Sequence, residues 1–420
     1  MIAEYFLPAL RRLILSLLTA LACTSAQAQV WTLESSIQQA TTVAPELRAA
    51  QAEVNARAGE RTQAGAWPNP TLEIRGDEKL GIEDGRGGYN VNQISITQPL
   101  PLGRLAHQRR AAEAGLEAAR AMQQQQRLQL ENRTAQAFHA LQLAAERQRL
   151  AQERLAFADG VRSGSDRLVR YLSPLEHARL HILRETARQD VALAEGKWSE
   201  AASQFRAFLA LPPDSQPETA ALTALATPAA LTELQGRLAS HPALRASQYA
   251  RDASHAQVKA ARAQRFADPT LSIFRERDYL AGSRQDYNGV MLGVQIPLWN
   301  GNSGSVARAV AEVDKADAQL AAQRRDLESG LRQNHLHLQH LIEQAEHYRT
   351  SLLTPARRVL DLTRKGFATG EQNGLALVDA SNTYFETQAR YLELLHDAWV
   401  EAAQLRLAAG LAAGETAVQP

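Results

Sequence analysis

The feature that most constrains this chain is a junction written twice. "YNVNQISITQPLPLGRL" begins at Tyr89 and "YNGVMLGVQIPLWNGNSG" at Tyr287, an offset of 198 residues. In each, apolar and polar residues alternate with the period of two that gives a strand one apolar and one polar face. Ile94 and Ile96 alternate with Gln93, Ser95 and Thr97 in the first copy; Val290, Leu292, Val294 and Ile296 alternate with Met291, Gly293 and Gln295 in the second. A proline then stops the strand, Pro99 or Pro297, and after Gly103 or Gly301 an Ala-, Arg- and Gln-rich helical stretch begins. The second such stretch runs from about Ser303 to Lys365 almost without breakers. At about 1.5 Å per residue, a helix of some sixty residues is about 90 Å long and needs neighbours along its whole length.

The remainder duplicates in the same order. The Ala-rich helix from Pro45 runs into "PNPTLEI", and that from Pro242 into "ADPTLSI", so Leu72 and Ile74 pair by position with Leu271 and Ile273 as further two-faced strands. Each half reads as helix, strand, strand, long helix, turn and returning helix. The first repeat covers 29–210 and the second 231–410, with a Pro-rich linker at 211–230 and a tail at 411–420. Val306, Val313, Leu320 and Leu327 recur every seven residues, Leu341 and Tyr348 continue the register, and Leu143, Leu150 and Phe157 repeat it in the first half. Such heptads specify coiled-coil-like packing.

Composition agrees with long helices over thin cores: 45% hydrophobic residues but only 5% aromatic, with a mean hydropathy of −0.33. The net charge is +1 with both signs mixed, which provides no basic stripe for nucleic acid. At the N-terminus, Arg11 and Arg12 precede "LILSLLTALA", and Ala26-Gln27-Ala28 has the small residues of a cleavage site. Residues 1–28 are therefore a signal peptide, and no later run is long and apolar enough for a membrane helix. The single cysteine, Cys23, lies inside that signal; the alternative processing makes it an acylated first residue. Either way, disulfides and thiol catalysis are excluded. The chain also lacks a phosphate-binding loop, a dinucleotide fingerprint and a nucleophile motif, so neither a cofactor nor an enzyme activity is expected.

Four strands with one apolar and one polar face suit a β-barrel that has lipid outside and water inside. Four cannot close one, and an open edge is prohibited in lipid, so other copies must supply the rest. Three copies give twelve strands. A reading of another class is a soluble periplasmic coiled-coil scaffold, in which the apolar strand faces pack on protein.

The ordered set of duplicated units, both Pro-Leu-then-Gly junctions, and the turn "RKGFATGEQNGLALVDASNTY" resembles the TolC-like outer-membrane factors, over essentially the whole chain after the signal. "SPLEHARL" is similar to their heavy-metal, cobalt-zinc-cadmium branch. The resemblance implies an α+β membrane protein: a homotrimer whose twelve-stranded barrel in the outer membrane continues as an α-helical barrel in the periplasm. It further implies a passive exit duct that meets a periplasmic membrane-fusion adaptor and an RND-type inner-membrane pump. The cargo it implies is heavy-metal cations, with a drug or type I protein secretion duct as the alternative.

Gly164, Gly370 and Gly374 mark the reversals at the helical tip. The resemblance carries a tip-proximal acid onto Asp379 and places Glu176 near the corresponding position of the first half; three copies of each would ring the narrow end of the tube with negative charge. The position three before Asp379, often acidic in the family, is Ala376. His177 and His181 lie four apart on one helix face, a spacing that can chelate a metal, and His335, His337, His340 and His347 crowd the second long helix. A duct must release its cargo, and these histidines read as parts of solvated helices, so no metal site is assigned.

Overall fold

A computed structural model describes residues 30–77, 90–165, 173–280 and 283–412. The expected signal peptide with Cys23, Tyr89, and the tail from residue 413 lie outside the described residues.

The chain opens with β1 (Val30–Trp31), α1 (Leu33–Val43) and α2 (Pro45–Ala64), and then β2 (Thr71–Asp77) and β3 (Asn90–Pro99) lead into α3 (Arg104–Ser165). The first half ends with α4 (Pro174–Phe208), followed by β4 (Glu218–Thr219) and the short α5 (Leu231–Arg237). The second half repeats the plan as α6 (Pro242–Ala263), β5 (Thr270–Leu280), β6 (Ser283–Gly293), α7 (Ser303–Tyr348), α8 (Thr354–Thr369) and α9 (Gly374–Ala409). With 62 residues, α3 is about 93 Å long.

The second long helix departs from the unbroken stretch expected over 303–365. Residues Arg349–Leu353 form a π-helical turn between α7 and α8. Pro355 is the cause: it has no N–H to continue the ladder, and the helix takes in an extra residue before it. Thr354 Oγ1 donates to the Arg349 carbonyl at 2.9 Å, stepping back five residues across the widened turn.

The described residues fall into two compact units. One comprises Ala44–Asn132, Thr227–Leu338 and the chain from Gln404. It holds an antiparallel sheet in the order β2-β3-β5-β6, so β3 and β5 join the two repeats at its centre and β2 and β6 are its edges. In the same unit, Val258 and Ala261 of α6 pack with Val306, Ala309 and Val313 of α7, which places the first two heptad positions in a core.

The strand-to-helix junctions are pinned within this unit. Leu100 N–H donates to the Pro269 carbonyl at 2.7 Å, and Arg104 meets Asp268 at 2.6 Å. Gly103 takes φ +94°, which only glycine adopts freely, and α3 starts at the next residue. In the second copy, Gly301 does not play that part; Asn302 does, at φ +57°, a left-handed conformation that asparagine tolerates. Its Nδ2 donates to the Ala261 carbonyl at 2.8 Å.

The other unit comprises the chain up to Val43, Arg133–Ala226 and Gln339–Ala403, and is helical apart from a parallel pair, β1 with β4. Leu150 of α3 packs with Phe385 and Leu392 of α9, flanked by Leu143 and Phe157, so the first-half heptad is also a packing seam. The expected linker at 211–230 is partly docked here: Gln142 Nε2 donates to the Ala220 carbonyl at 2.9 Å and Trp399 Nε1 to the Thr223 carbonyl at 2.8 Å.

Candidate functional site

Two regions have the chemistry of a conduit: the sheet, and the ends of the helical hairpins. In the sheet, the register aligns Leu72, Ile96, Ile273 and Val290 in one row across all four strands. These side chains are 61, 53, 61 and 70% exposed. Leu271 and Leu292 continue the face on one side of the row, Ile74 and Ile94 on the other. The opposite face is polar and shielded: Ser95 and Ser272 are buried, and the hydroxyls of Thr97 and Ser272 lie 2.7 Å apart across the strands. An ordinary sheet covers its apolar face and wets its polar one, whereas this sheet reverses that arrangement. Trp67, Phe266 and Trp299, at the helix-proximal ends of the strands, are also exposed, as in an aromatic girdle at a membrane surface. Among the described residues, no helix is long and apolar enough to cross a membrane.

At the tip, Ser173 caps α4. Its Oγ accepts from the Glu176 N–H at 3.3 Å, while Glu176 Oε2 accepts from the Ser173 N–H and hydroxyl, both at 2.9 Å. This reciprocal capping box occupies one carboxylate oxygen. The other accepts the N–H of Gly374, first residue of α9, at 3.3 Å. Three donors hold the Glu176 carboxyl below the usual carboxylate range: the Ser173 backbone first, then its hydroxyl and the Gly374 N–H.

Asn373 is the corresponding cap of α9, its Oδ1 accepting from the Ala376 N–H at 2.9 Å. Caps at Ser173 and Asn373 align Glu176 with Ala376, and Arg179 with Asp379, so the structure does not pair the two acids as the sequence comparison does. Asp379 is exposed on α9, while Glu176 is half-buried and engaged. Gly370 closes α8 at φ +81°, as a reversal requires. Gly164 lies within the last turn of α3, and the reversal that follows it, 166–172, is outside the described residues.

Sequence reasoning missed Arg154, which crosses three helices from α3: its guanidinium meets Asp190 of α4 at 2.6 Å and Asn382 of α9 at 2.8 Å. Arg147 of α3 likewise pairs with Glu393 of α9, and Arg184 of α4 with Asp159 of α3 at 2.6 Å. The signal was only an arginine within a helix rich in them, and its partners lie as far as 228 residues away.

His177 and His181 are exposed on α4, and no group of three or more metal-ligating side chains occurs among the described residues. His335 stands apart from the solvated histidines it was grouped with: it is buried, with Nε2 2.9 Å from the Ala229 carbonyl.

The outer membrane efflux protein family matches residues 36–210 and 234–411, two stretches that coincide closely with the two repeats. The cobalt-zinc-cadmium resistance protein CzcC of Cupriavidus metallidurans is 28% identical over 87% of this chain and 86% of its own length. The nickel and cobalt resistance protein CnrC of the same organism is 31% identical over 68% of each. In fold, the open state of the MtrE outer membrane channel of Neisseria gonorrhoeae superposes with a TM-score of 0.73 at 19% identity, covering 90% of this chain and 89% of that one. The exposed apolar wall, the long helices and the doubled unit thus find their explanation together: the chain belongs to the outer membrane efflux protein family, as an outer-membrane channel extending into the periplasm and not an enzyme.

Proposed function

We propose that this chain is the passive exit duct of a tripartite heavy-metal efflux system. Three copies assemble into one channel that receives cations from an RND-type inner-membrane pump through a periplasmic adaptor. The observation that carries the assembly is the four-residue apolar row on a sheet with two open edges. Among the described residues, β2 and β6 each have a neighbour on one side only. In lipid, those edges need partners, and β6 of one copy meeting β2 of the next supplies them. Three copies make a ring of twelve, wide enough for a wet lumen.

The cargo follows from the two resistance proteins named above, whose names specify cobalt, zinc, cadmium and nickel. The duct needs no resident metal site for this, since selection belongs to the pump and release to the channel. At the tip, Asp379 from three copies forms a ring that favours cations, while Glu176 holds two hairpins together.

The test is fractionation of the expressed protein, sizing of the detergent-extracted species, and growth of a deletion strain on cobalt, zinc and cadmium. An outer-membrane trimer whose loss sensitises cells to these metals supports the reading. A soluble monomer or dimer overturns the channel, and unchanged metal tolerance with lost drug tolerance overturns the cargo.

A further inference from the structure

Along the polar face of the hairpin formed by β5 and β6, three successive pairs match a larger side chain with a smaller one. The register sets Thr270 opposite Gly293, Ser272 opposite Met291 and Phe274 opposite Gly289, and alternation puts all six on that face. A Cβ built on Gly293 would lie 2.6 Å from Thr270 Oγ1, and one built on Gly289 only 2.3 Å from Phe274 Cζ. Cε1 and Cε2 of the same ring come within 2.7 and 2.9 Å of that point. The far end of the ring therefore fills the space that any side chain at position 289 would need. A glycine inside a strand weakens it, and its place there marks such a close approach.

Two positions are open to a phenyl ring on this face: upright, or laid across to the next strand, about 4.8 Å away. Its row across the sheet is Glu73, Ser95, Phe274 and Gly289, in which Phe274 is the one large apolar side chain. Upright, it would stand in whatever water the polar face meets. The structure has it laid across: the distal ring atoms rest on Gly289, and Phe274 is half-buried, while its neighbour Ile273 on the opposite face is 61% exposed.

We infer that Gly289 sets the bore of the barrel, as the seat that holds the Phe274 ring against the wall and out of the lumen. The inference rests on the channel reading, in which the polar face lines the water. In a trimer, a side chain at 289 would turn three rings inward at one level, making the path both narrower and apolar, a combination that resists hydrated ions by dewetting. A cross-strand aromatic–glycine pair that served stability alone would predict something else: less assembly on substitution, and no change of width in the channels that do assemble.

The experiment inserts the full-length protein into planar bilayers and sizes the lumen with neutral polyethylene glycols added to one side at a time. Polymer entry from the barrel side is the local readout, because the helical tip lies in series with the barrel and contributes to total conductance. G289V should lower the mass of the largest polymer that enters from the barrel side about twofold and leave entry from the tip side unchanged. F274A/G289V should restore it, since no ring remains to be displaced, and F274A alone should match the wild type. G293A, which crowds only the short Thr270, should match it too. Inserted G289V channels of unchanged width, or a double variant as narrow as G289V, would overturn the inference. If G289V does not assemble, F274A decides: equal width supports a seated ring, and a wider lumen shows a ring that already projects. A wild-type protein that forms no channel would overturn the channel reading as well, whereas a wild-type channel with indifferent variants would overturn this inference alone.

Discussion

Glu176 accepts a 3.3 Å hydrogen bond from the backbone N–H of Gly374, 198 residues further along the chain. One carboxylate therefore closes the cap of α4 and ties it to the first residue of α9. Its lowered titration sets the pH response. A carboxyl whose folded value is depressed contributes stability that is fully present above the ordinary glutamate range, near pH ~4.3, and is lost as pH falls through the lower folded value. Exchange protection of the Gly374 amide should persist at neutral pH and fall only on acidification below that range. Glu176→Gln should abolish the pH step, and Ser173→Ala should destabilise the start of α4 by about 1 kcal/mol. Hydrogen exchange read on one peptide covering Gly374 and another covering the start of α4 checks all three.

Asp379 is expected to act through charge. In the proposed trimer Asp379→Ala would remove three carboxylates from the narrow end, so in planar bilayers it should raise single-channel conductance and reduce cation selectivity. Unchanged conductance and selectivity would remove Asp379 from the constriction.

Leu72 and Glu73 are neighbours on β2 with opposite fates. Leu72→Lys places an ammonium in the apolar row, at a cost of about 2 to 4 kcal/mol if the row lies near the bilayer midplane, and should reduce the outer-membrane trimer recovered. Glu73→Lys, on the polar face, should assemble normally and shift ion selectivity toward anions. Heat-modified gel mobility separates the two.

His241 offers a second pH test with the same proton count, since a lowered folded value means that the unfolded chain binds the proton more readily in both cases. It is almost fully buried; its Nδ1 accepts from the Ala243 N–H at 3.2 Å, and its Nε2 lies 3.1 Å from the Leu407 carbonyl. Burial lowers its titration, so its contribution is complete above the ordinary histidine value, near pH ~6.5, and declines as the pH falls below it. Protonation at Nδ1 would also break the cap. His241→Asn, which can still cap through its side chain, should flatten the pH dependence of thermal unfolding between about pH 5 and 7.

Strands and long helices were legible because both follow from periodicities: the period of two aligned Leu72, Ile96, Ile273 and Val290, and the heptad found Val306, Val313, Leu150 and Phe157. The interruption at 349–353 was also written, in Pro355, but an apolar repeat that continues on both sides of a proline masks a local change of helix type. Glu176 was set near the position of Asp379, whereas the caps at Ser173 and Asn373 are offset by 200 and put Ala376 opposite it. The docked stretch around Ala220 and Thr223 was not legible, because a Pro-rich segment looks like a spacer until Gln142 and Trp399, distant in sequence, come to meet its carbonyls. Arg154 was hidden for the same reason.

The parity of the sheet has a consequence for assembly. Because the duplicated chain contributes an even number of strands in strict up-and-down order, its two edges run in opposite directions. Each subunit can therefore follow the last head to tail, and every seam repeats the antiparallel pattern found inside a subunit. An odd count would have forced a parallel seam at each joint, with a different hydrogen-bond spacing from the rest of the wall. Two hairpins in one chain, in place of one, halve the number of seams in a ring of given size, and leave none of them distinguishable, in strand direction, from the joins already made within one chain.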